Sequence, residues 1–260
     1  MASPDILAVM HIEFFTLSPG FFVSPLESDI FQRAQEKGLV SFRVHNIRDY
    51  THDKHHITDD YPYGGGAGMV LKPEPLFEAV ETALEGQSMA ERRAVILMTP
   101  QGQPFSQAIA SRLASHERLL FICGHYEGVD ERIRTHLATE EISLGDYVLS
   151  GGELPALAVA DAVVRLVPGV LGSAESVCEE SHAAGLLEYP QYTRPPEFRG
   201  LKVPDILLSG HHGEVAKWRR QESLRRTLLR RPELLKEAQL LPEDERLLRN
   251  IEAEEGRQLL

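Results

Sequence analysis

The sequence predicts an α/β fold with a mainly parallel sheet, followed by a small helical domain. Through the first two-thirds of the chain, short apolar runs closed by Gly- or Pro-containing turns alternate with helical patterns. Such runs are typical of parallel strands that are buried on both faces. The alternation is lost after about residue 172, and the pattern later becomes helical. We therefore expect two regions of different class joined by a linker.

The individual elements follow from these periodicities. Strands are predicted at residues 6–15, 39–45, 94–98 and 119–123, and helices at 73–84, 106–116 and 154–166. Further helices are predicted at 202–208, 213–229, 232–240 and from 242 to the end. These elements suggest an α/β domain over residues 1–171, a linker over 172–196 that we expect to be mobile, and a helical domain over 197–260.

Composition narrows the class of protein. The 260 residues are 42% hydrophobic and 25% charged, which is ordinary for a globular chain. The two cysteines, Cys123 and Cys178, have no CxxC partner, which argues against a disulfide framework or a structural zinc site. No apolar stretch approaches the roughly 18 residues of a membrane span, and the start of the chain has no basic n-region. We expect a cytoplasmic protein without membrane contact.

The charge is unevenly distributed. A net charge of -12 argues at face value against a nucleic-acid partner. Between residues 217 and 231, however, Glu222 is the only acid, and the basic residues are Lys217, Arg219, Arg220, Arg225, Arg226, Arg230 and Arg231. This locally basic stretch is typical of a segment that binds nucleic acid. We expect some of its arginines to reach phosphates and others to form ion pairs.

A glycine-rich segment runs from Asp59 to Met69 and has four glycines in five positions. Glycines of this density allow positive φ and close approach to a ligand, although a flexible surface loop explains them equally well. No Lys-Ser/Thr follows, which argues against a phosphate-binding P-loop, and no GxGxxG is present to support a dinucleotide fold.

Three further turns cover residues 99–102, 123–128 and 144–155, and two of them directly follow predicted strands. Ligands of open α/β sheets bind outside the carboxyl ends of the strands. Each turn alone is explained as an ordinary βα connection. Together we predict that they converge on one ligand, with Tyr126 and Tyr147 lining its pocket.

Two ionisable groups are candidates for chemistry. The linker carries Glu179 and Glu180, either as part of a solvated loop or as a carboxylate base brought to the pocket. Arg165 ends an otherwise apolar helix, where it either reaches solvent or faces a substrate oxygen that gains negative charge.

Trp218 is either a core anchor or a stacking surface beside Arg219. The histidines at 52, 55 and 56 have a spacing that suits no particular metal site, so no metal ligands are predicted.

In their order, these segments resemble the bacterial tRNA (guanine-N1)-methyltransferase family, TrmD, from Met10 to about Leu235. The segments that carry the resemblance are Arg48-Asp49-Tyr50-Thr51, Asp59-Asp60 with Pro62-Tyr63-Gly64-Gly65-Gly66, Pro100-Gln101-Gly102, Cys123-Gly124 with Tyr126-Glu127-Gly128, Gly145-Asp146-Tyr147-Val148-Leu149, Gly151-Gly152-Glu153-Leu154-Pro155, Tyr192-Thr193-Arg194-Pro195, Leu208-Ser209-Gly210 and Arg230-Arg231-Pro232-Glu233-Leu234-Leu235. Any one of them is weak, but the ordered set is highly specific.

The resemblance implies a fold and a methyl donor. The family belongs to the SPOUT class, whose α/β domain carries a deep C-terminal trefoil knot, a rare exception to the rule against knots. S-adenosyl-L-methionine is expected to bind against the knot loops. By resemblance, the residues that bind it are Thr99, Pro100, Gly124, Tyr126, Glu127, Leu144, Gly145, Asp146, Tyr147, Val148, Leu149, Gly151, Gly152 and Pro155.

The resemblance also implies a substrate, a partner and catalytic residues. The family methylates N1 of the guanine 3′ to the tRNA anticodon when another guanine precedes it, and it works as an obligate homodimer with active sites between subunits. A magnesium requirement is associated with the family, but the sequence shows no dedicated Mg²⁺ site. Glu180 is expected to remove the N1 proton while Arg165 stabilises O6. The residues expected to contact tRNA are Asp59, Tyr63, Gly64, Arg194, Arg219, Arg220, Arg225 and Arg226.

The chain departs from the family pattern at the base. Glu180 stands where the family typically has Asp, so the carboxylate lies one methylene further out, a shift that a mobile linker can absorb. Glu179 is an alternative base. Two other hypotheses compete with this one: a related knotted enzyme that methylates a ribose or another base, and an RNA-binding protein without catalysis.

Overall fold

The computed structural model describes residues 9–86, 92–172, 185–236 and 238–258. Contacts between residues divide the chain into two compact units, 1–172 and 173–260. Within the described residues, no helix is long and apolar enough to cross a membrane.

A five-stranded sheet forms the centre of the first unit, in the order β2-β1-β6-β5-β7. Its strands are β1 Met10–Thr16, β2 Val40–Asn46, β5 Arg93–Pro104, β6 Arg118–Cys123 and β7 Glu140–Ser143. A short antiparallel ribbon, β3 Asp59–Asp60 and β4 Val70–Leu71, stands outside this sheet. Every neighbouring pair in the large sheet is parallel, which confirms the predicted α/β class.

Helices cover both faces of this sheet. They are α1 Val23–Leu26, α2 Asp29–Glu36, α3 Pro73–Leu84, α4 Gln107–Leu113, α5 Glu131–His136 and α6 Glu153–Val164, with 3₁₀ turns at Pro19–Phe22 and Ile47–Tyr50. Strand side chains alternate, so Ile96 and Phe121 join the buried cluster that includes α6, while Leu97 and Ile122 join the one that includes α3. Burial on both faces explains why these strands are continuous apolar runs in the sequence.

The second unit contains a hairpin and helices. Its elements are β8 Glu197–Phe198, β9 Leu201–Lys202, α7 Asp205–Leu208, α8 His212–Arg230, a 3₁₀ helix Pro232–Lys236 and α9 Pro242–Gln258. Leu186, Leu224 and Ile251 are its buried core, so one face of α8 packs against α9.

Several predicted boundaries were wrong. The first strand begins at Met10, and residues 1–8 lie outside the described residues. Residues 99–102 do not form a turn, because β5 continues to Pro104 alongside β7 after a shift of register. The helix predicted at 202–208 starts at Asp205, since Arg199 and Gly200, both at positive φ, turn the chain into the β8–β9 hairpin. The helix predicted at 232–240 is the 3₁₀ helix Pro232–Lys236.

Candidate active site

A cavity of about 360 Å³ borders residues 97–101 of β5, the segment after β6 and the segment after β7. The structure brings together here all but one of the residues that were predicted to bind S-adenosylmethionine. Those that line the cavity are Thr99, Pro100, Gly124, Tyr126, Glu127, Leu144, Gly145, Tyr147, Val148, Leu149, Gly151, Gly152 and Pro155. The exception is Asp146, which does not line the cavity although both of its neighbours in sequence do. The three segments that were predicted to converge therefore do so in a single chain, although residues 99–102 belong to β5 and not to a turn.

Glycine allows the walls of this cavity to approach one another closely. A Cβ on Gly152 would lie 2.7 Å from Cα of Cys123, and the Gly152 amide donates a hydrogen bond to the carbonyl of Gly124 at 2.9 Å. A Cβ on Gly102 would lie 2.5 Å from the carbonyl carbon of Glu141. These two glycines therefore serve chain-to-chain packing, which holds the start of α6 against the end of β6 and the end of β5 against β7.

A buried carboxylate supports one wall of the cavity, and the sequence analysis missed it. Glu153, only 4% exposed, accepts a hydrogen bond from the Thr16 hydroxyl at 2.6 Å, and the same oxygen lies 2.6 Å from Nε2 of His125, a cavity-lining residue. Hydrogen bonding of one ring nitrogen sets the tautomer of a neutral histidine. The sequence feature that could have identified Glu153 is that it is an acid in the first turn of an otherwise apolar helix. Burial, with a smaller contribution from Glu153, raises the pKa of the neighbouring Cys123 thiol.

The rim of the cavity combines exposed apolar surface with acidic groups. Tyr126 and Tyr147 are each about half exposed. Glu127 and Glu131 add carboxylates, and hydrogen bonding to Arg134 lowers the pKa of Glu131. Apolar and aromatic walls with a few placed charges are typical of small-molecule sites. Aromatic rings and carboxylates together suit a ligand that has a planar ring and positive charge.

The glycine-rich segment joins this site through β4. The amide of Leu71 donates to the carbonyl of Gly128, and the amide of Glu127 donates to the carbonyl of Met69. Glycines 64, 65, 66 and 68 all have positive φ, and a Cβ on Gly68 would lie 2.5 Å from a Glu127 carboxylate oxygen. The predicted tRNA residues Asp59, Tyr63 and Gly64 therefore belong to a ribbon bonded to the cavity wall, with the Tyr63 side chain fully exposed.

Of the two predicted catalytic residues, only Arg165 lies in the described part of the chain, and it does not line the cavity. Arg165 caps the C-terminal end of α6, whereas the cavity-lining Pro155 belongs to its first turn. Ten residues of α-helix separate them, which corresponds to about 15 Å. Glu180 and its alternative Glu179 lie outside the described residues.

The predicted tRNA arginines of the second unit fall into two groups. Arg220 makes two hydrogen bonds, of 2.8 and 2.7 Å, to the buried carboxylate of Asp244. Arg225 pairs with Glu254 at 2.6 Å and also with Glu255. The expectation that some arginines form ion pairs is thus confirmed, and the two pairs link α8 to α9.

The other group has different surroundings. The Arg219 guanidinium lies 4.7 Å from the centroid of the Tyr189 ring. Arg194 is exposed, and Arg226 has no carboxylate partner among the residues that the structure describes. Trp218 is partly exposed and its ring lies 6.5 Å from that of Tyr192, so it is not a member of the Leu224 core.

No metal cluster was predicted, and the described ranges contain no group of three or more His, Cys, Asp or Glu placed to hold a metal ion. Two members of the histidine cluster make ordinary hydrogen bonds, His52 to Glu78 at 2.7 Å and His56 to Thr51 at 2.8 Å.

Comparison with known proteins gives a consistent result. The model of the tRNA (Guanine-1)-methyltransferase TrmD family matches residues 10–237. A protein of Dehalococcoides mccartyi named tRNA (guanine-N(1)-)-methyltransferase is 58% identical over 95% of this chain and 99% of its own length. A protein of the same name from Pelotomaculum thermopropionicum is 60% identical over 93% of this chain and 96% of its own length. Another from Bacillus subtilis is 56% identical over 94% of this chain and 100% of its own length.

Proposed function

Since the chain belongs to the tRNA (guanine-1)-methyltransferase TrmD family, we propose that it transfers a methyl group from S-adenosyl-L-methionine to N1 of the guanine 3′ to the tRNA anticodon. One observation carries the proposal above the others. The family match spans residues 10–237, and the resemblance segments at residues 100–101, 124–128, 145–149 and 151–155 contribute to the lining of one cavity.

The cavity fits the chemistry of the donor. S-adenosylmethionine supplies an electrophilic methyl group on a positively charged sulfonium and carries a flat adenine ring. Exposed Tyr126 and Tyr147 offer aromatic surface for the ring, and Glu127 and Glu131 offer carboxylates toward positive charge. The close packing at Gly152 brings backbone amides and carbonyls into the wall, where they can bind the donor's polar edges.

The linker carboxylate and an arginine divide the catalytic work. N1 of guanine is a poor nucleophile while it carries its proton, so Glu180 accepts that proton as the new bond forms. A positioned base of this kind contributes about 10²–10⁴-fold to the rate. Charge then builds on O6, where the guanidinium of Arg165 stabilises it. The extra methylene of Glu180, compared with the aspartate typical of the family, changes the distance over which the linker must reach.

Two subunits are needed to complete this site. Arg165 lies about 15 Å along α6 from the cavity-lining Pro155, so the arginine of one chain serves the cavity of another. We propose a homodimer whose active sites form between subunits, with the linker of one chain closing over the donor of the other.

We assign the SPOUT trefoil knot to the α/β unit, and a close approach between two chain segments supports this assignment. After β7, at the edge of the sheet, the chain returns across β5 to reach β6, where Gly152 contacts Cys123 and Gly124. Residues 144–152 of this return, except for Asp146, also line the cavity, so under this proposal the knot and the donor site share the same segment.

We assign tRNA binding to both units. Asp59, Tyr63 and Gly64 on the β3–β4 ribbon approach the target nucleotide, and Arg194, Arg219 and Arg226 bind the tRNA from the second unit. Arg220 and Arg225 were also expected to contact tRNA, but their carboxylate partners give them a different role, which is to hold α8 against α9.

Methyl transfer to two tRNA transcripts tests the proposal. One transcript carries a guanine 3′ to the anticodon with a guanine before it, and the other has adenine at the target position. Labelled donor should methylate only the first. Donor binding without transfer to either transcript would point to a different substrate, as for a knotted enzyme that acts on another base or a ribose. Absence of donor binding would favour an RNA-binding protein without catalysis.

A further inference from the structure

A second cavity, of about 750 Å³, lies entirely within the second unit. The tyrosines 189 and 192 and the arginines 194 and 219 line it, together with an apolar wall that includes Leu207 and Val215. The proposed methyl-transfer step does not use this cavity, although Arg194 and Arg219 in its lining are assigned to tRNA binding. Pockets of this volume accommodate small organic ligands, and its lining combines flat aromatic rings with positive charge.

Arg219 is the most unusual group in this lining. Its Nε is buried and has no hydrogen-bond partner among the described residues, while its guanidinium lies over the Tyr189 ring. A buried donor without an acceptor costs free energy, and such groups call for an explanation. Because this atom is not accessible, what Arg219 contributes to the lining of the cavity is the positive charge of its guanidinium.

The arginines of α8 also separate by helix face. At 100° per residue, Arg219, Arg226 and Arg230 lie within about 40° of one another, and along the axis they are spaced about 10 and 6 Å apart. Three cations that the structure places in carboxylate pairs, Lys217, Arg220 and Arg225, lie 100° or more from Arg219 around the same helix. Arg231, which pairs with Glu233, follows the end of that helix. Within the described part of the chain, Arg219, Arg226 and Arg230 thus form a line that has no carboxylate partner.

We propose that this cavity holds one unpaired nucleotide of the tRNA, with its base against Tyr189 and Tyr192, and that Arg226 and Arg230 bind the phosphates that lead to it. This inference rests on the proposed function for the identity of the RNA. Single-stranded RNA is recognised by aromatic and guanidinium surfaces that stack on unpaired bases, together with basic groups along the backbone. The cavity supplies the stacking surface for a base, and the arginine line supplies the cations for the backbone phosphates. The two are adjacent, as one RNA strand requires, because Arg219 belongs to both.

The phosphate part is tested with two double variants of equal charge. Arg226→Ala/Arg230→Ala removes two cations from the unpaired line, and Lys217→Ala/Arg231→Ala removes two exposed cations that are paired with carboxylates outside that line. We measure the Kd of the full-length protein for unmodified tRNA over a series of salt concentrations. The first variant should lower the slope of log K against log salt by about 2, and the control by much less. Equal losses in both variants would reduce the effect to net charge and overturn the proposal.

The stacking part is tested at Tyr192, which is half exposed, so its replacement should leave the core intact. Tyr192→Ala should weaken tRNA binding by roughly 5- to 150-fold, and Tyr192→Phe, which keeps the ring, should restore it. Trp218 is the only tryptophan and its ring lies 6.5 Å from Tyr192, so it provides a local signal. A stem–loop RNA should quench its fluorescence, whereas the same sequence in a perfect duplex should not.

The outcomes separate this inference from the proposed function. If the wild type methylates tRNA while Tyr192→Ala binds it as tightly as the wild type does, the cavity is not a nucleotide site and the function stands. If the wild type methylates no tRNA but the Tyr192 and arginine variants lose stem–loop binding, the proposed function fails and the RNA site stands. The nucleotide assignment would also be overturned if the stem–loop and the duplex quenched Trp218 fluorescence equally. The same holds if the fluorescence fell because the protein self-associates in the absence of RNA.

Discussion

Replacing Gly152 by alanine tests whether the close approach of α6 to β6 sets the shape of the candidate donor site. Gly152 has φ −82°, so alanine suffers no positive-φ strain there. On chain entropy alone, the change would stabilise the protein by about 0.4–1 kcal/mol. The added methyl group, however, would lie 2.7 Å from Cα of Cys123 and 2.9 Å from the amide nitrogen of Gly124. Both are backbone atoms, so the contact can be relieved only by moving the wall of the cavity.

The steric cost should exceed the entropic gain. Overpacking of a closely packed site costs about 1–3 kcal/mol, which after the entropic gain leaves a net destabilisation of about 0–2.6 kcal/mol, centred on about 1.3 kcal/mol. For a chain of this size, each kcal/mol corresponds to a fall in Tm of about 2–4 °C. Because the displaced atoms line the cavity, we also expect the affinity for S-adenosylhomocysteine to fall by roughly tenfold, or about 1.4 kcal/mol.

Thermal unfolding and calorimetric titration measure the two effects separately. Gly20→Ala is the matched control, since the new Cβ would meet nothing within 4 Å and the residue lies in the same unit. It should leave both quantities at wild-type values or raise Tm slightly. A Gly152→Ala protein with the Tm and ligand affinity of the wild type would refute the argument that this contact determines the cavity.

Three further predictions address the base, the helical unit and the buried thiol. Glu180→Gln should lower the methyl-transfer rate by about 10²–10⁴-fold without changing donor affinity, while Glu180→Asp should retain most of the rate; a fully active Gln variant would exclude this residue as the base. Asp244→Asn should destabilise the second unit by about 1–3 kcal/mol at neutral pH, measured by urea unfolding, because Arg220 loses its carboxylate. Hydrogen bonding from Arg220 lowers the pKa of Asp244, so the stabilisation is present above the ordinary value of 3.8 and disappears as the pH falls through the lowered one; a difference that persists in acid would contradict this. In a Cys178→Ser background, the native protein should not react with an aromatic disulfide at pH 8, because Cys123 is buried and its thiol pKa is raised; rapid labelling would show that the site opens.

The parts of this fold that were predictable from sequence are those determined by local pattern. The apolar runs around Ile96 and Phe121 correctly predicted parallel strands, because burial on both faces leaves a continuous signature. The glycine-containing turns after these strands predicted a common cavity, since parallel strands bring their carboxyl ends to one edge of a sheet.

Long-range pairing was not predictable in the same way. The Thr16–Glu153 hydrogen bond joins residues 137 positions apart, and no local pattern indicates it. The basic residues of α8 predicted a surface for nucleic acid, but the sequence did not show which of its arginines pair with carboxylates and which do not. The partner of Arg220 is Asp244 on α9, 24 residues further along the chain. Charge patterning in one helix cannot identify partners on another.

Local backbone geometry accounts for the remaining errors. The β8–β9 hairpin was missed because its turn places Arg199, a residue that rarely adopts positive φ, before Gly200. The extension of β5 through Gly102 depends on contact with β7, because only a residue without a Cβ fits beside Glu141 there.

The position of the transferred methyl group tests the central claim most directly. After incubation with the labelled donor, a tRNA transcript that has guanine both as the last anticodon nucleotide and as the nucleotide 3′ to it is copied by a reverse transcriptase. A methyl group on N1 blocks Watson–Crick pairing, so the account predicts a stop next to the guanine 3′ to the anticodon, and digestion of the tRNA should give 1-methylguanosine. Full-length copying together with labelled tRNA would place the methyl group on a ribose or on another atom of a base, and would contradict the assignment of guanine N1 as the nucleophile.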